Sequence, residues 1–161
     1  MEQQIFVSST NSKTIMANVS TYLNFERDTE AAFNFYKSVF GGEFGGQGIM
    51  RMGDVPAQDG MPPLPDSDKN LVMHIELAIT AGHKLMGTDA PESMGFKLNK
   101  GSNVHINLGL DTRKETKKIF DALAKGGVTT MELQDMFWGD YFGSCTDKFG
   151  VNWMVNCQEK S

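Results

Sequence analysis

One order of elements occurs twice in this chain, and it limits the fold more than any other feature. Residues 17–25 alternate in period two: Ala17, Val19, Thr21, Leu23 and Phe25 fall on one side, Asn18, Ser20, Tyr22 and Asn24 on the other. Such alternation predicts a strand. Ala32, Phe35, Tyr36, Val39 and Phe40 then form a helical stripe, with Asp28 as candidate N-cap and Gly41-Gly42 as the stop. The order returns at residues 103–110, where Val104, Ile106, Leu108 and Leu110 alternate with His105, Asn107 and Gly109. Thr112 to Glu115 is a capping-box pattern; Thr116, Ile119, Phe120 and Leu123 form the stripe, and Gly126-Gly127 ends it.

About three strand segments follow each helix. In the first half they are residues 44–52, weakened by glycine, residues 71–80, and residues 83–88. On the middle segment Met73, Ile75 and Leu77 share a face, and His74 and Glu76 share the other. In the second half they are residues 128–133, Tyr141–Thr146 and residues 151–156. The last two form a ribbon within residues 135–156, with turn signals at Gly139-Asp140 and at Asp147 to Gly150. A repeat this long suits two fused half-domains rather than a solenoid. The expected fold class is α+β: two βαβββ half-domains whose curved mixed sheets enclose a cleft. Residues 1–15 read as a flexible N-terminal extension, and residues 16–158 as a single domain with half-modules at about 16–90 and 103–158. Residues 53–70, with four of the five prolines, read as a long mobile loop.

At 161 residues the chain can bury a full core. Its net charge of -5 and scattered basic residues argue against nucleic acid as a partner. No apolar run approaches the ~20 residues that span a bilayer. The N-terminus lacks the basic-then-apolar pattern of a secretory signal. Cys145 and Cys157 have neither metal nor redox spacing, so two reduced thiols in a cytoplasmic protein are expected.

The alternation also assigns faces. Val19, Leu23 and Phe25, and in the second half Ile106, Leu108 and Leu110, should pack the helices. Ser20, Tyr22, Asn24, His74, Glu76, His105, Asn107, Asn152, Met154 and Asn156 then share the free faces. So many polar residues on curved inner faces point to a wet cleft rather than a dry core. His105 reads as a residual metal ligand, a general base or a hydrogen-bonding wall. His74 with Glu76 reads as an acid–base pair or as a satisfied polar pair. His83 lies by a turn and is expected to be exposed. Trp138, Tyr141 and Phe142 form either an aromatic wall for a flat ligand or packing at the ribbon's end or a dimer contact. Trp153 belongs to the core. Cys145 has no basic neighbour to lower its pKa and reads as an inert thiol.

These stretches resemble the vicinal-oxygen-chelate superfamily, which includes glyoxalase I, extradiol dioxygenases and bleomycin-resistance proteins. The resemblance rests on Tyr22 to Phe25, Phe35 to Gly42, Val104 to Leu108, and Asp147 to Trp153. Met86 to Pro91 and Trp138-Gly139-Asp140 narrow it to the PhnB-like branch, often labelled demethylubiquinone-methyltransferase-like. The superfamily implies a divalent metal held near Ser20, near Met86, at His105 and near Met154. Of these only His105 is a good ligand, and thioethers suit Mg, Mn or Zn poorly. The label's methyl transfer finds no Gly-x-Gly-x-Gly turn after a strand.

The functional expectation is therefore a small-molecule-binding protein of this superfamily, without the metal or any other cofactor, and a homodimer. Tyr22, Asn24, His74, Asn107, Trp138, Phe142 and Met154 would line the ligand site. No cluster of Arg and Lys in that set favours a highly anionic ligand. The alternatives are a superfamily enzyme, lyase or transferase, using His105 with Glu76 for proton transfer with or without a divalent metal, and a protein–protein module with a vestigial pocket.

Overall fold

Among the described residues, eight strands and two α-helices build two four-stranded sheets with the same internal order. The computed structural model describes residues 17–56 and 63–159. The elements are β1 (Ser20–Phe25), α1 (Thr29–Phe40), β2 (Met50–Arg51), β3 (Val72–Ala78), β4 (Lys84–Asp89), β5 (Ile106–Leu110), α2 (Arg113–Ala124), β6 (Val128–Asp135), β7 (Tyr141–Thr146) and β8 (Asn152–Cys157). One sheet runs β1-β4-β3-β2 and the other β5-β8-β7-β6. β1 is parallel to β4, and β5 to β8; the other pairings are antiparallel. The sheets are mixed and the fold is α+β, as the repeat implied. The expected extension at residues 1–15 and part of the expected loop, residues 57–62, lie outside the described residues.

The two halves share one core. Phe33 and Tyr36 of α1, Ile75 and Leu77 of β3, Leu123 of α2, and Trp153 and Val155 of β8 are fully buried in one cluster. Tyr36 and Phe40 of the first half pack their rings on Trp153 of the second, at 5.6 and 5.7 Å between centroids. α1 sits close over β4 because Gly87 leaves room: a β-carbon there would lie 2.5 Å from the ring of Phe33.

Buried carboxylates organise the turns. Asp147 Oδ1 accepts from the backbone amides of Phe149 (2.8 Å) and Val151 (3.0 Å). Its Oδ2 accepts from Tyr36 Oη at 2.9 Å and Trp153 Nε1 at 2.8 Å. The turn motif of the second half is thus welded to α1 of the first. Burial, then the charge of Asp147, raises the Tyr36 pKa far above its ordinary value. In the first half Asp89 accepts from the Thr29 amide, the Thr29 hydroxyl and the Val72 amide.

Some local expectations are corrected. Asp28 occupies the N-cap position of α1 but its side chain makes no cap bond; Asp89, reaching from β4, does that work. In α2 the cap is as expected, with Thr112 Oγ1 accepting from the Glu115 amide. Met73 is 43% exposed and does not join Ile75 and Leu77. The cause is a register shift: Met50 pairs with His74, but Arg51 pairs with Val72, so one extra residue bulges out of β3. Val19 and Val104 precede their strands and are exposed. Within the stretch expected to be a mobile loop, Asp68 is fully buried and held by Arg27, Ser67 and Ser93.

Candidate functional site

The helix-facing sides of both sheets are spent on the core, so ligand chemistry falls to the opposite faces and the seam between the halves. In the first sheet the strand register aligns Tyr22, Met86 and Glu76 across β1, β4 and β3. In the second, Asn107, Met154, Ser144 and Met131 align across β5, β8, β7 and β6. The duplication therefore places a methionine, Met86 or Met154, at the same point of each sheet.

The first face is a cluster of titratable groups. Tyr22 Oη lies 3.2 Å from His74 Nδ1, and the rings are 5.9 Å apart. Partial burial raises the Tyr22 pKa, opposed by a hydrogen bond with Thr88, so the hydroxyl stays protonated at neutral pH. His74 faces Met50 across the sheet. Glu76 is held by Lys84 at 2.9 Å. Asn24 stands beside Thr88 in register, exposed.

On the second face Phe142, Asn156 and Gly109 are aligned one step from Met154. Trp138 stacks edge-to-face on Phe142, with centroids 5.9 Å apart, and Phe137 on Trp138 at 4.9 Å. Trp138 is about half exposed and Phe137 almost entirely so. The aromatic wall thus runs from the β6–β7 turn down onto the sheet.

Two cavities lie along the seam, each bounded by β1 on one side and β5 on the other. One, about 360 Å³, is lined by Thr21, Ile79, His83, His105 and Asn107 among others. The second, about 260 Å³, takes in Tyr22, Asn24, Lys100, Ile106 and Asn152. Two imidazoles line the larger one. His83, expected to be exposed, instead bonds Thr21 Oγ1 through Nε2 at 2.9 Å. The spacing of a single turn histidine carried no signal for this, because Thr21 is remote in sequence.

Tyr22 and His74 are brought together, as are Trp138 and Phe142. His105 and Glu76 are not: His105 lines the larger cavity, and Glu76 does not. Ser144 and Met131, which sequence reasoning did not single out, complete the row through Met154. An extra residue in β6, Thr130, breaks the alternation there, so the sequence pattern does not point to Met131; the Thr130 hydroxyl bonds Ser144 Oγ at 2.8 Å.

The profile of the family described as 3-demethylubiquinone-9 3-methyltransferase matches residues 17–156. The chain belongs to that family. A family relative, protein YjdN of Escherichia coli strain K12, is 34% identical over 145 residues, 86% of this chain and 93% of YjdN. Among solved structures, protein PA1353 from Pseudomonas aeruginosa is 31% identical with a TM-score of 0.76, over 90% of this chain and all (100%) of that one. The PhnB protein from Bacillus cereus, described as a putative 3-demethylubiquinone-9 3-methyltransferase, is 25% identical with a TM-score of 0.66, over 88% and 99%. A glyoxalase/bleomycin resistance protein/dioxygenase family enzyme from Burkholderia phytofirmans PsJN, 19% identical with a TM-score of 0.54, shares the fold over 86% and 98%. The resemblance to the PhnB-like branch holds, and the fold is that of the glyoxalase/bleomycin-resistance/dioxygenase proteins.

The metal of that superfamily does not fit the residues here. The corresponding positions offer a hydroxyl (Ser20), two thioethers (Met86, Met154) and one imidazole (His105). Hard and borderline divalent ions select carboxylate and imidazole. Among the described residues no group of three His, Cys, Asp or Glu converges as a ligand set.

Proposed function

We propose that this protein binds a small, largely uncharged organic molecule on the open faces of its sheets, without a divalent metal. One observation carries the reading: the duplicated fold puts a thioether, Met86 or Met154, at the centre of each open face, flanked by neutral or charge-compensated polar groups. Methionine suits an adaptable apolar contact and suits hard-metal chemistry poorly. Tyr22, Asn24, His74, Asn107, Trp138, Phe142 and Met154 are the contact residues of this reading. Its assembly is a homodimer, in which a second copy covers faces that a single chain leaves open. Cys145 and Cys157, buried and unpaired with one another, support a reducing compartment, the cytoplasm.

The family's description suggests methyl transfer to a quinol ring. Here β1 leads into α1 through Glu26, Arg27 and Asp28, with no glycine to admit a phosphate or an adenosyl group. Proton transfer by His105 with Glu76 is the alternative. Its support is that His105 reaches a cavity; against it stands the engagement of Glu76 with Lys84.

The test is elemental analysis and native mass spectrometry of protein taken directly from cells. The expected result is a dimer with sub-stoichiometric divalent metal and a small organic adduct lost on denaturation. A stoichiometric divalent ion that disappears in His105→Ala would overturn the metal-free reading.

A further inference from the structure

We infer that the second-sheet face takes a planar aromatic ligand that carries a hydrogen-bond donor, and that Asn156 Oδ1 receives that donor; this rests on the small-molecule reading above. Among the described residues, Asn156 Oδ1 is the buried side-chain polar atom with no partner. Buried acceptors are nearly always satisfied, and one left open beside an exposed aromatic patch is a place where a ligand supplies the missing donor. The orientation of the amide is fixed by its other end. Asn156 Nδ2 donates to Asp140 Oδ2 at 3.4 Å, and a carboxylate only accepts, so the nitrogen must face Asp140 and the oxygen the remaining side.

What surrounds that oxygen defines the ligand. Asn156 is flanked in register by Gly109 and Phe142. Gly109 puts no side chain beside it: a β-carbon there would stand 3.9 Å from Asn156 Oδ1 and meet nothing else within 4 Å. On the other flank Phe142, Trp138 and Phe137 form a ladder of edge-to-face rings. Trp138 is half exposed and held in this ladder by ring contacts, with no hydrogen bond from Nε1 among the described residues. The oxygen itself is shielded from water, so the side chains around it move when a ligand reaches it. A flat ring stacks on the ladder while an N–H or O–H on its edge reaches Asn156 over Gly109. An aromatic ring without a donor gains the stacking and leaves the oxygen as it is.

The experiment compares indole with benzofuran, which has the same shape with an ether oxygen in place of the N–H. Binding is followed by calorimetry and by the Asn156 side-chain amide signal in ¹H–¹⁵N spectra of the intact chain. Indole should bind about five- to tenfold more tightly, the worth of one hydrogen bond to an otherwise orphaned group. The ratio should fall to about one in Asn156→Ala, and the Asn156 amide should shift with indole and not with benzofuran. Gly109→Leu, a change at an exposed position that covers the acceptor, should abolish both and serves if Asn156→Ala fails to fold. Trp138→Ala should weaken both alike. Equal affinities in the native protein, or a ratio that survives Asn156→Ala, would refute the donor assignment while leaving small-molecule binding intact. Absence of binding by either ring would refute the aromatic class, and the adduct found by native mass spectrometry would then judge the broader reading separately.

Discussion

Asp147→Asn should destabilise the protein nearly as much as deleting the side chain. In the native chain Oδ1 serves the two turn amides, and Oδ2 serves Tyr36 Oη and Trp153 Nε1. Asparagine can keep one pair only. If its oxygen stays with the turn, its NH₂ faces two ring donors that are completely buried. Tyr36 can turn its hydroxyl to accept, but the indole N–H is a donor only and is stranded. A stranded buried donor costs about 1–3 kcal/mol, and lost bonds to a charged group about 1.5–3 kcal/mol each. The expected loss is about 3 kcal/mol, a large share of the 5–15 kcal/mol typical of a domain. Tyr36→Phe removes one bond and leaves the carboxylate three partners, so about 1–2 kcal/mol is expected. Combining the two should cost less than their sum by about 1 kcal/mol, because they remove the same contact. Urea unfolding followed by tryptophan fluorescence measures all four corners. The reasoning fails if Asp147→Asn lies within about 1 kcal/mol of the native protein, or if the double mutant is strictly additive.

Other outcomes follow from the same packing. Tyr36 has a folded pKa raised far above the unfolded value near ~10, so the stability it confers is full below that pH and declines as pH rises beyond it; Tyr36→Phe should flatten the alkaline arm of a stability–pH curve. Asp68 has a lowered pKa, caused first by Ser93 and then by Arg27. Its contribution is present above the unfolded value of about 4 and lost as pH falls through the folded one, so Ser93→Ala should move acid unfolding to higher pH. Gly87→Ala should cost several kcal/mol in thermal unfolding, because the methyl group meets the Phe33 ring and α1 must lift. Cys145, whose pKa is pushed up to about 11 by burial and by the charge of Asp147, should resist thiol reagents until denaturant is added.

Much of the fold was legible because both periodicities are strong. The alternation at β1, β5 and β8 put Phe25, Leu108 and Trp153 inward and Tyr22, Asn107 and Met154 outward, as found. It failed where the backbone stops alternating: Met73 sits at the bulge opposite β2, and Thr130 at the first of two register shifts in β6. It also failed for partners remote in sequence. Nothing local links Arg27 to Asp68, Thr21 to His83, or Tyr36 to Asp147, since each pair is made by the closing of the tertiary structure. For Asp147 one hint was present: an acid opening a turn, with a tryptophan six residues on, close enough for the indole N–H to return to it.

The rings of Tyr36 and Phe40 resting on Trp153 have a further consequence for how the molecule comes apart. Two independent copies of one structural unit would melt as two. Here each copy's apolar side is completed by the other, so a half expressed alone would present to water the surface that α1 and β8 now hide from it. Calorimetry should show one transition with equal van't Hoff and calorimetric enthalpies. On that result the duplication visible in the sequence would be, in energetic terms, one folding unit.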